Sequence, residues 1–236
     1  LSVPAHGSVS GFVFTHLETG LKFLTFGMLK GGDEIGFRFI VPVTGPAYLG
    51  ERLDFSAMYK PGEIRDVDLP GLRAAIAAMP CCTTNKDGSK KGDPLNVVVV
   101  GDLAALFAFV DRGWRMTEML DLHSAVDTAK SFVLGTTYDT SPVSPLYLFG
   151  RPQDLALQKA RSTIDERNHV RFWLTPLRFQ GKDVWIGQIS RDIGVELTRH
   201  SWYLTTHRIS PSVDFDRDYL LQDLLLSGAV EHFGYA

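Results

Sequence analysis

The run Arg167-Asn168-His169-Val170-Arg171-Phe172-Trp173-Leu174 constrains the fold more than any other part of the chain. At a period of two residues, Arg167, His169, Arg171 and Trp173 share one face, and Asn168, Val170, Phe172 and Leu174 share the other. That alternation describes a strand with one side turned into a core. The opposite side carries cationic and aromatic groups, where a solvated strand face carries Thr, Lys, Glu and Ser. Such a row marks a ligand or partner surface, or a set of exposed strand-face ion pairs.

Gln180-Gly181 is a turn dipeptide that folds this strand back on the segment after it. A two-residue loop there sets His169 opposite Asp192, Arg171 opposite Ser190, Trp173 opposite Gln188 and Arg178 opposite Asp183. On the other face Phe172 meets Ile189 and Val170 meets Arg191. A His–Asp pair orients an imidazole and favours its charged form. Pro176 is the point at which a bulge enters, and a slip of one residue exchanges the two faces.

The N-terminal stretch is apolar in a different way. Val9, Val13, Leu17, Leu21, Leu24 and Met28 recur at the helical spacing, with Ser8 or Ser10 to cap and Gly31-Gly32 to stop. Phe12, Phe14, Phe23, Phe26 and Leu29 occupy the remaining faces. A helix apolar all round packs inside, docks on a partner or lies at a bilayer surface; His16, Glu18 and Lys22 oppose a membrane span. Phe12, Leu17, Phe23 and Phe26 are the expected docking residues, against a membrane protein or a membrane surface. Residues 1–50 then form an extension, an apolar helix followed by a strand at 37–43, and 51–236 form the main domain. Position 1 is Leu rather than Met, which points to a processed or trimmed chain.

Further elements follow from punctuation. Asp68 caps a helix with Pro70 in its first turn, ended by Pro80. Residues 81–94 read as a polar loop. A strand at 95–100 turns at Gly101-Asp102 into a helix at 103–112, capped by Asp102 and closed by Gly113. A second helix is expected at 116–133, and the apolar run 146–149 is far enough from 95–100 for the two to pair in parallel. Strands follow at about 154–160, 168–178, 183–191 and 203–209, then a helix at 214–227 ended by Gly228. This order predicts an α+β fold, a mixed β-sheet with helices packed on it, plus the apolar N-terminal helix. Adjacent Cys81 and Cys82 supply no zinc spacing; they are two loop residues or a vicinal disulfide of an oxidising compartment. A net charge of −3 provides no basic field, so no nucleic-acid partner is expected.

Polar clusters flank the hairpin at Gly150-Arg151-Pro152-Gln153-Asp154 and Thr206-His207-Arg208, with Asp214, Asp216, Arg217 and Asp218 beyond. The alternating aspartates lack the Gly and Glu of a calcium loop, and helix capping by Asp214 explains them more simply. Gathered in space, His169, His207 and Asp192 with Arg151, Arg167, Arg171 and Arg217 form an anion pocket, Trp173 beside it. The histidines can then act as general acid and base on a phosphoester, with Asp192 orienting His169 and arginines holding the phosphoryl oxygens. The plainer alternative is a set of ion pairs and strand-face hydrogen bonds. No G-x-S-x-G, H-E-x-x-H or Gly-rich phosphate loop is present, and neither a metal nor a cofactor is expected.

Several short motifs resemble one family. Pro94-Leu95-Asn96-Val97-Val98-Val99-Val100-Gly101, Gly113-Trp114, Pro142-Val143-Ser144-Pro145-Leu146-Tyr147-Leu148-Phe149-Gly150-Arg151, the His169/Arg171/Trp173 strand, Val184-Trp185-Ile186-Gly187, and Thr206-His207 leading to Asp214 and Arg217 are similar to the LssY C-terminal domain family. Pro80-Cys81-Cys82-Thr83-Thr84 resembles versions of the same domain, and the likeness runs over about residues 54–233. The resemblance implies a bacterial, membrane-associated or exported protein, since longer relatives join this domain to integral-membrane modules, and it carries no activity. The expected function is an envelope-associated binding or accessory domain, periplasmic or exported, that docks on a partner or membrane and binds an anionic small molecule or lipid. A phosphoester or lipid-phosphate hydrolase, or a structural accessory subunit of a membrane complex, are the alternatives.

Overall fold

A computed structural model of the protein describes residues 2–15, 20–43, 55–117, 145–160, 167–197 and 205–235. The N-terminal expectation is corrected at once. Residues 9–15 have no regular structure, 16–19 lie outside the described residues, and Gly20–Lys30 (β1) is a strand paired antiparallel with Asp33–Val43 (β2). Gly31-Gly32, with φ of 63° and 98°, is the two-residue turn of this hairpin rather than a helix stop. Leu21, Leu24 and Met28 fit a helical stripe, while Leu24, Phe26 and Met28 fit a period of two. Pairing gives them cross-strand neighbours: Phe26 lies opposite Phe37, Met28 opposite Ile35 and Leu24 opposite Phe39.

The body begins with Arg65–Val67 (β3) and Leu69–Ala77 (α1), whose cap Asp68 accepts a hydrogen bond from the Gly71 N–H at 2.8 Å. In place of the expected polar loop, Cys82–Thr84 (β4) and Lys91–Pro94 (β5) form a short hairpin. Val97–Val100 (β6) leads to Asp102, which accepts from the Ala104 N–H at 3.0 Å. A 3-10 turn at Leu103–Ala105 runs into Leu106–Val110 (α2), and Gly113 follows with φ of 80°. Arg115–Met116 (β7), Tyr147–Leu148 (β8), Arg151–Pro152 (β9) and Leu155–Ala160 (β10) come next. Arg167–Phe179 (β11), Lys182–Leu197 (β12), Thr205–Ile209 (β13) and Val213–Leu225 (α3) complete the chain. The helix expected at 116–133 falls outside the described residues from 118 onward.

A mixed sheet of order β13-β12-β11-β10-β7 is joined by β3, parallel to the end of β11, and by β6, antiparallel to β12. A second sheet has the order β5-β4-β8-β9. The described chain is therefore α+β in kind, rich in strand, with three helices. The expected parallel pairing of 95–100 with 146–149 does not form. The far edge of β12 is taken by β6 at Val184–Gly187 and by β13 at Asp192–Leu197, so β6 satisfies an edge that would otherwise be open. Tyr147 instead pairs with Thr84 in the second sheet.

Next to the turn, β11 and β12 keep the expected register: Arg178 opposes Asp183, and Gln180-Gly181 turn with φ of 52° and 73°. Between Leu174 and Arg178 the register shifts, so Thr175, Pro176 and Leu177 stand against Val184 alone. Beyond the bulge Phe172 opposes Gly187, Arg171 opposes Gln188 and His169 opposes Ser190, each two residues away from the expected partner. An even displacement leaves every side chain on its expected face. Pro176 has no N–H to give, and the neighbouring groups are met by side chains. Thr175 Oγ1 donates to the Val184 carbonyl at 2.7 Å and accepts from the Leu177 N–H at 3.2 Å. The Leu174 N–H donates to Asp154 Oδ2 at 2.7 Å, and its carbonyl accepts from Arg151 Nη2 at 2.7 Å and the Tyr59 hydroxyl at 2.8 Å.

The even face of β11 is the core face. Val170, Phe172 and Leu174 pack with Leu155, Leu157, Trp185 and Ile189, and Leu106, Phe109, Trp114 and Leu220 close over them. Gly187 is required opposite Phe172, because a Cβ there would come within 2.6 Å of the ring. The β1–β2 arm rests on this body through Phe23, edge-on to Phe107 at 5.3 Å, and through Arg38, 2.8 Å from Asp111.

Candidate functional site

The odd face of β11 is buried. Arg167, His169, Arg171 and Trp173 are all under 9% exposed, so the row is interior and not a solvated strand face. His169 Nε2 lies 2.8 Å from Asp192 Oδ2 on β12. Arg171 Nη1 donates to Gln188 Oε1 at 3.0 Å, and Gln188 Nε2 donates to Asp93 Oδ2 at 2.9 Å. Arg167 Nη1 reaches Gln158 Oε1 on β10 at 3.3 Å. Burial pushes the Asp93 carboxyl up, against the Arg171 charge and the Ser190 hydrogen bond, which favour the carboxylate. Burial likewise lowers the Arg171 guanidinium, against the charges of Asp93 and Asp192. A polar chain thus runs from β5 through β12 to β11, with cations and carboxylates set against each other in a low-dielectric interior.

Asp93 belongs to this network and escaped the sequence reading, which placed it in a polar loop. It is delivered by a register shift between β4 and β5, where Thr83 stands against Gly92 and Asp93. The available signal was Asp93-Pro94 closing a lysine-rich turn, since the residue before proline is held extended.

Other expected site residues lie elsewhere. Trp173 packs with Leu148 and Ile186 and donates to the Arg151 carbonyl at 3.4 Å. Arg151 holds Asp154 through two bonds of 3.0 and 2.9 Å and stacks on Tyr59 and Phe149. Burial works against the Arg151 charge, and Asp154 more than offsets it, holding the guanidinium above its ordinary value. Arg217 is engaged on α3 by Asp214 at 2.8 Å and Asp218 at 3.2 Å, and lies over the Tyr235 ring. The N-cap position is Ser212, whose side chain makes no capping bond, and Asp214, expected as the cap, lies in the first turn. His207 sits on β13 opposite Val195, two residues from Ile209, which opposes Asp192. The structure therefore unites His169, Asp192 and Arg171, with Arg167 along the same face, and gives Arg151 and Arg217 separate ion pairs. Among the described residues no group of three or more His, Cys, Asp or Glu is placed to hold a metal ion.

Two further features bear on function. A small apolar hollow of about 20 Å³, room for little more than one water, lies between α2 and the core face, lined by Leu103, Leu106, Phe109, Phe172 and Trp185, with none of the network residues in its wall. The second is the outer face of the arm. Phe26, Met28, Ile35, Phe37, Phe39 and Val41 share that face by register and are each 39–49% exposed. Of the expected docking residues, Phe26 belongs to it, Phe23 points to the body, Phe12 is 92% exposed in the irregular segment, and Leu17 lies outside the described residues. No helix among the described residues is long and apolar enough to cross a membrane.

The family model for the LssY C-terminus matches residues 74–236, more than two thirds of the chain. No curated protein and no solved structure matches. The chain belongs to the LssY C-terminus family.

Proposed function

We propose that this member of the LssY C-terminus family is a binding domain of the bacterial cell envelope, an accessory that docks on a membrane-protein partner through the outer face of its β1–β2 arm. The observation that carries the reading is the alignment of Phe26, Met28, Ile35, Phe37, Phe39 and Val41 on one exposed face. Scattered exposed apolar residues need no explanation, but a contiguous set of six on one strand pair does. A two-stranded arm is also marginal alone and gains from a further surface. A protein fits better than lipid. Among the described residues neither outer edge of the arm has a strand partner. A protein can return hydrogen bonds to such an edge, and hydrocarbon cannot.

Photocrosslinking in cells tests this. A benzophenone amino acid at Phe37 or Phe26 is expected to give one discrete protein adduct, and one at Lys86 none. The Phe39→Ser variant should abolish the adduct. Equal adducts from all three positions, or none, overturn the reading. Flotation of the full chain with phosphatidylethanolamine–phosphatidylglycerol vesicles, lost in Phe37→Ser, would move the docking surface to lipid.

A second reading is favoured by the His169–Asp192 contact beside Arg171. In a phosphoester or lipid-phosphate hydrolase, His169 would move the proton, and Arg167 and Arg171 would hold the phosphoryl oxygens once the network opened. Turnover of a lipid phosphate that is abolished in a stably folded His169→Gln variant supports it. Equal turnover in that variant removes it.

A further inference from the structure

Cys81 and Cys82 are joined to each other in a vicinal disulfide. A disulfide stabilises a fold chiefly by closing a loop of unfolded chain, and the effect grows with loop length. This bridge closes no loop, because its two residues are already neighbours. Its contribution to the fold through that mechanism is therefore at the minimum a disulfide can have, and its chemistry is the property left to explain.

The position of the bridge is specific. Cys81 is an exposed residue and Cys82 half-buried, so Cys81 is the side from which a thiolate would approach. The Leu95 N–H donates to the Cys81 carbonyl at 2.9 Å, and Cys82 opposes Pro94. Thr83, fully buried, donates through Oγ1 to the Asp93 carbonyl at 3.1 Å. Pro94 and Leu95, the two residues after Asp93, are therefore tied to Cys82 and Cys81, and Asp93 itself is tied to Thr83. The Asp93 carboxylate accepts from Gln188 Nε2, and the other end of that amide, Oε1, accepts from Arg171 Nη1. On the other side, Met79 and Leu95 pack on the cluster that contains Trp173.

We propose that Cys81–Cys82 is a reversible two-electron redox site, acted on by a dithiol reductant, and that its state sets how firmly Asp93 is seated against Arg171 in the buried network. The thiolate of the dithiol attacks Cys81 Sγ and forms a mixed disulfide, while Cys82 leaves as a thiolate and takes a proton. The second thiol of the reductant then attacks the mixed disulfide, releases Cys81 as a thiol and departs as a cyclic disulfide. Two electrons and two protons pass to the protein, and a disulfide oxidant reverses the exchange. Opening the ring frees the backbone between residues 81 and 82, the start of the strand to which residues 93–95 are bonded. This inference stands whether or not the arm docks as described above.

The test uses the full chain in buffers of reduced and oxidised dithiothreitol at graded ratios. Alkylation with iodoacetamide followed by intact mass is expected to show two groups gained together, and to return to none on reoxidation. Amide hydrogen exchange at residues 91–95 and 188–190 should rise about tenfold on reduction, while Val213–Leu225 keeps its protection. The Cys81→Ser/Cys82→Ser variant should show the faster exchange at every ratio, and the wild-type reduction supplies the same comparison if that variant fails to fold. Full alkylation without reductant overturns the proposal, as does reduction that is irreversible. Reduction that leaves exchange at 91–95 unchanged removes the link to Asp93 and overturns it equally.

Discussion

His169 and Asp192 meet at 2.8 Å although they are not opposite each other: Ser190 opposes His169, and Asp192 lies two residues further along β12, opposite Ile209. Diagonal neighbours on one sheet face are about 7–8 Å apart at the backbone, within reach of an imidazole and a carboxylate that lean together. The bulge that displaced the register makes this pair diagonal rather than directly opposed, and the two side chains still meet. Had the two strands stayed in the register of their turn, His169 would have opposed Asp192 directly. Removing the carboxylate leaves a buried imidazole and reduces the charge set against Arg171. Asp192→Ala is expected to lose about 3 kcal/mol of stability at neutral pH in urea unfolding. The His169→Gln and Asp192→Asn changes should also couple by at least about 1 kcal/mol, and strict additivity would show that the pair does not act as a unit.

Inside the bulge one hydroxyl serves two backbone groups. Thr175 Oγ1 serves both the Val184 carbonyl and the Leu177 N–H in a buried position. Thr175→Val keeps the shape and strips both partners, so a loss of about 2 kcal/mol is expected. Thr175→Ser, which retains the hydroxyl, should recover most of it. Equal losses in the two variants would mean that the methyl packing matters rather than the bonds.

These two cases show what the sequence makes legible. Faces are robust: the alternation in 167–174 assigns every side chain to its correct side, because a displacement of two residues cannot exchange them. Pairings are fragile, since one proline inside a strand moves each partner while leaving the pattern untouched. Caps are legible where a short polar side chain precedes a helix, as Asp68 and Asp102 do. Where Ser212 competes with Asp214, the local pattern does not decide. The N-terminal hairpin was illegible by periodicity because Leu24 and Met28 fit a helical stripe and an alternating strand alike. Gly31-Gly32 held the answer, as a dipeptide suited to a two-residue turn with positive φ. Asp93 was illegible for another reason: its role comes from strands distant in sequence, and nothing local marks a carboxylate as destined for burial.

Asp223 on α3 fastens the helix to the sheet. It accepts from Trp114 Nε1 at 2.7 Å, Lys159 Nζ at 2.7 Å and Arg112 Nε at 3.1 Å. Burial raises its carboxyl, and the bonds to Lys159 and Trp114 with the Lys159 charge outweigh burial, so the net shift is downward. A carboxyl whose folded value is depressed contributes stability above its unfolded value of 3.8, lost as pH falls through the folded value. Asp223→Asn should therefore be destabilised at pH 7 by about 2 kcal/mol. The gap to wild type should close as unfolding is followed below pH 3.8. A gap constant across that range would show that the carboxylate charge contributes nothing.

Asn168 makes the opposite prediction. It is fully buried on the apolar face of β11, and among the described residues neither its amide nitrogen nor its oxygen has a hydrogen-bond partner. Burying such a group without partners costs about 1–3 kcal/mol. Asn168→Leu, which keeps the branching and the number of side-chain heavy atoms, should raise the urea midpoint rather than lower it. A lowered midpoint would place an ordered water or another polar partner at this amide.

The arm separates folding from docking. Phe23 and Phe37 are both large aromatics on it, yet one lies against Phe107 and the other is 42% exposed on the outer face. Phe23→Ala removes a ring packed on the core and is expected to cost about 2–3 kcal/mol, at or below the low end for a core phenylalanine because Phe23 is only partly buried. Phe37→Ser removes a ring half in water, and should shift stability by no more than about 0.5 kcal/mol. If Phe37→Ser cost as much as Phe23→Ala, the outer face would be part of the fold, and its exposure would no longer argue for a partner. If the variant is stable while the crosslinked adduct disappears, the face is kept for something outside the chain.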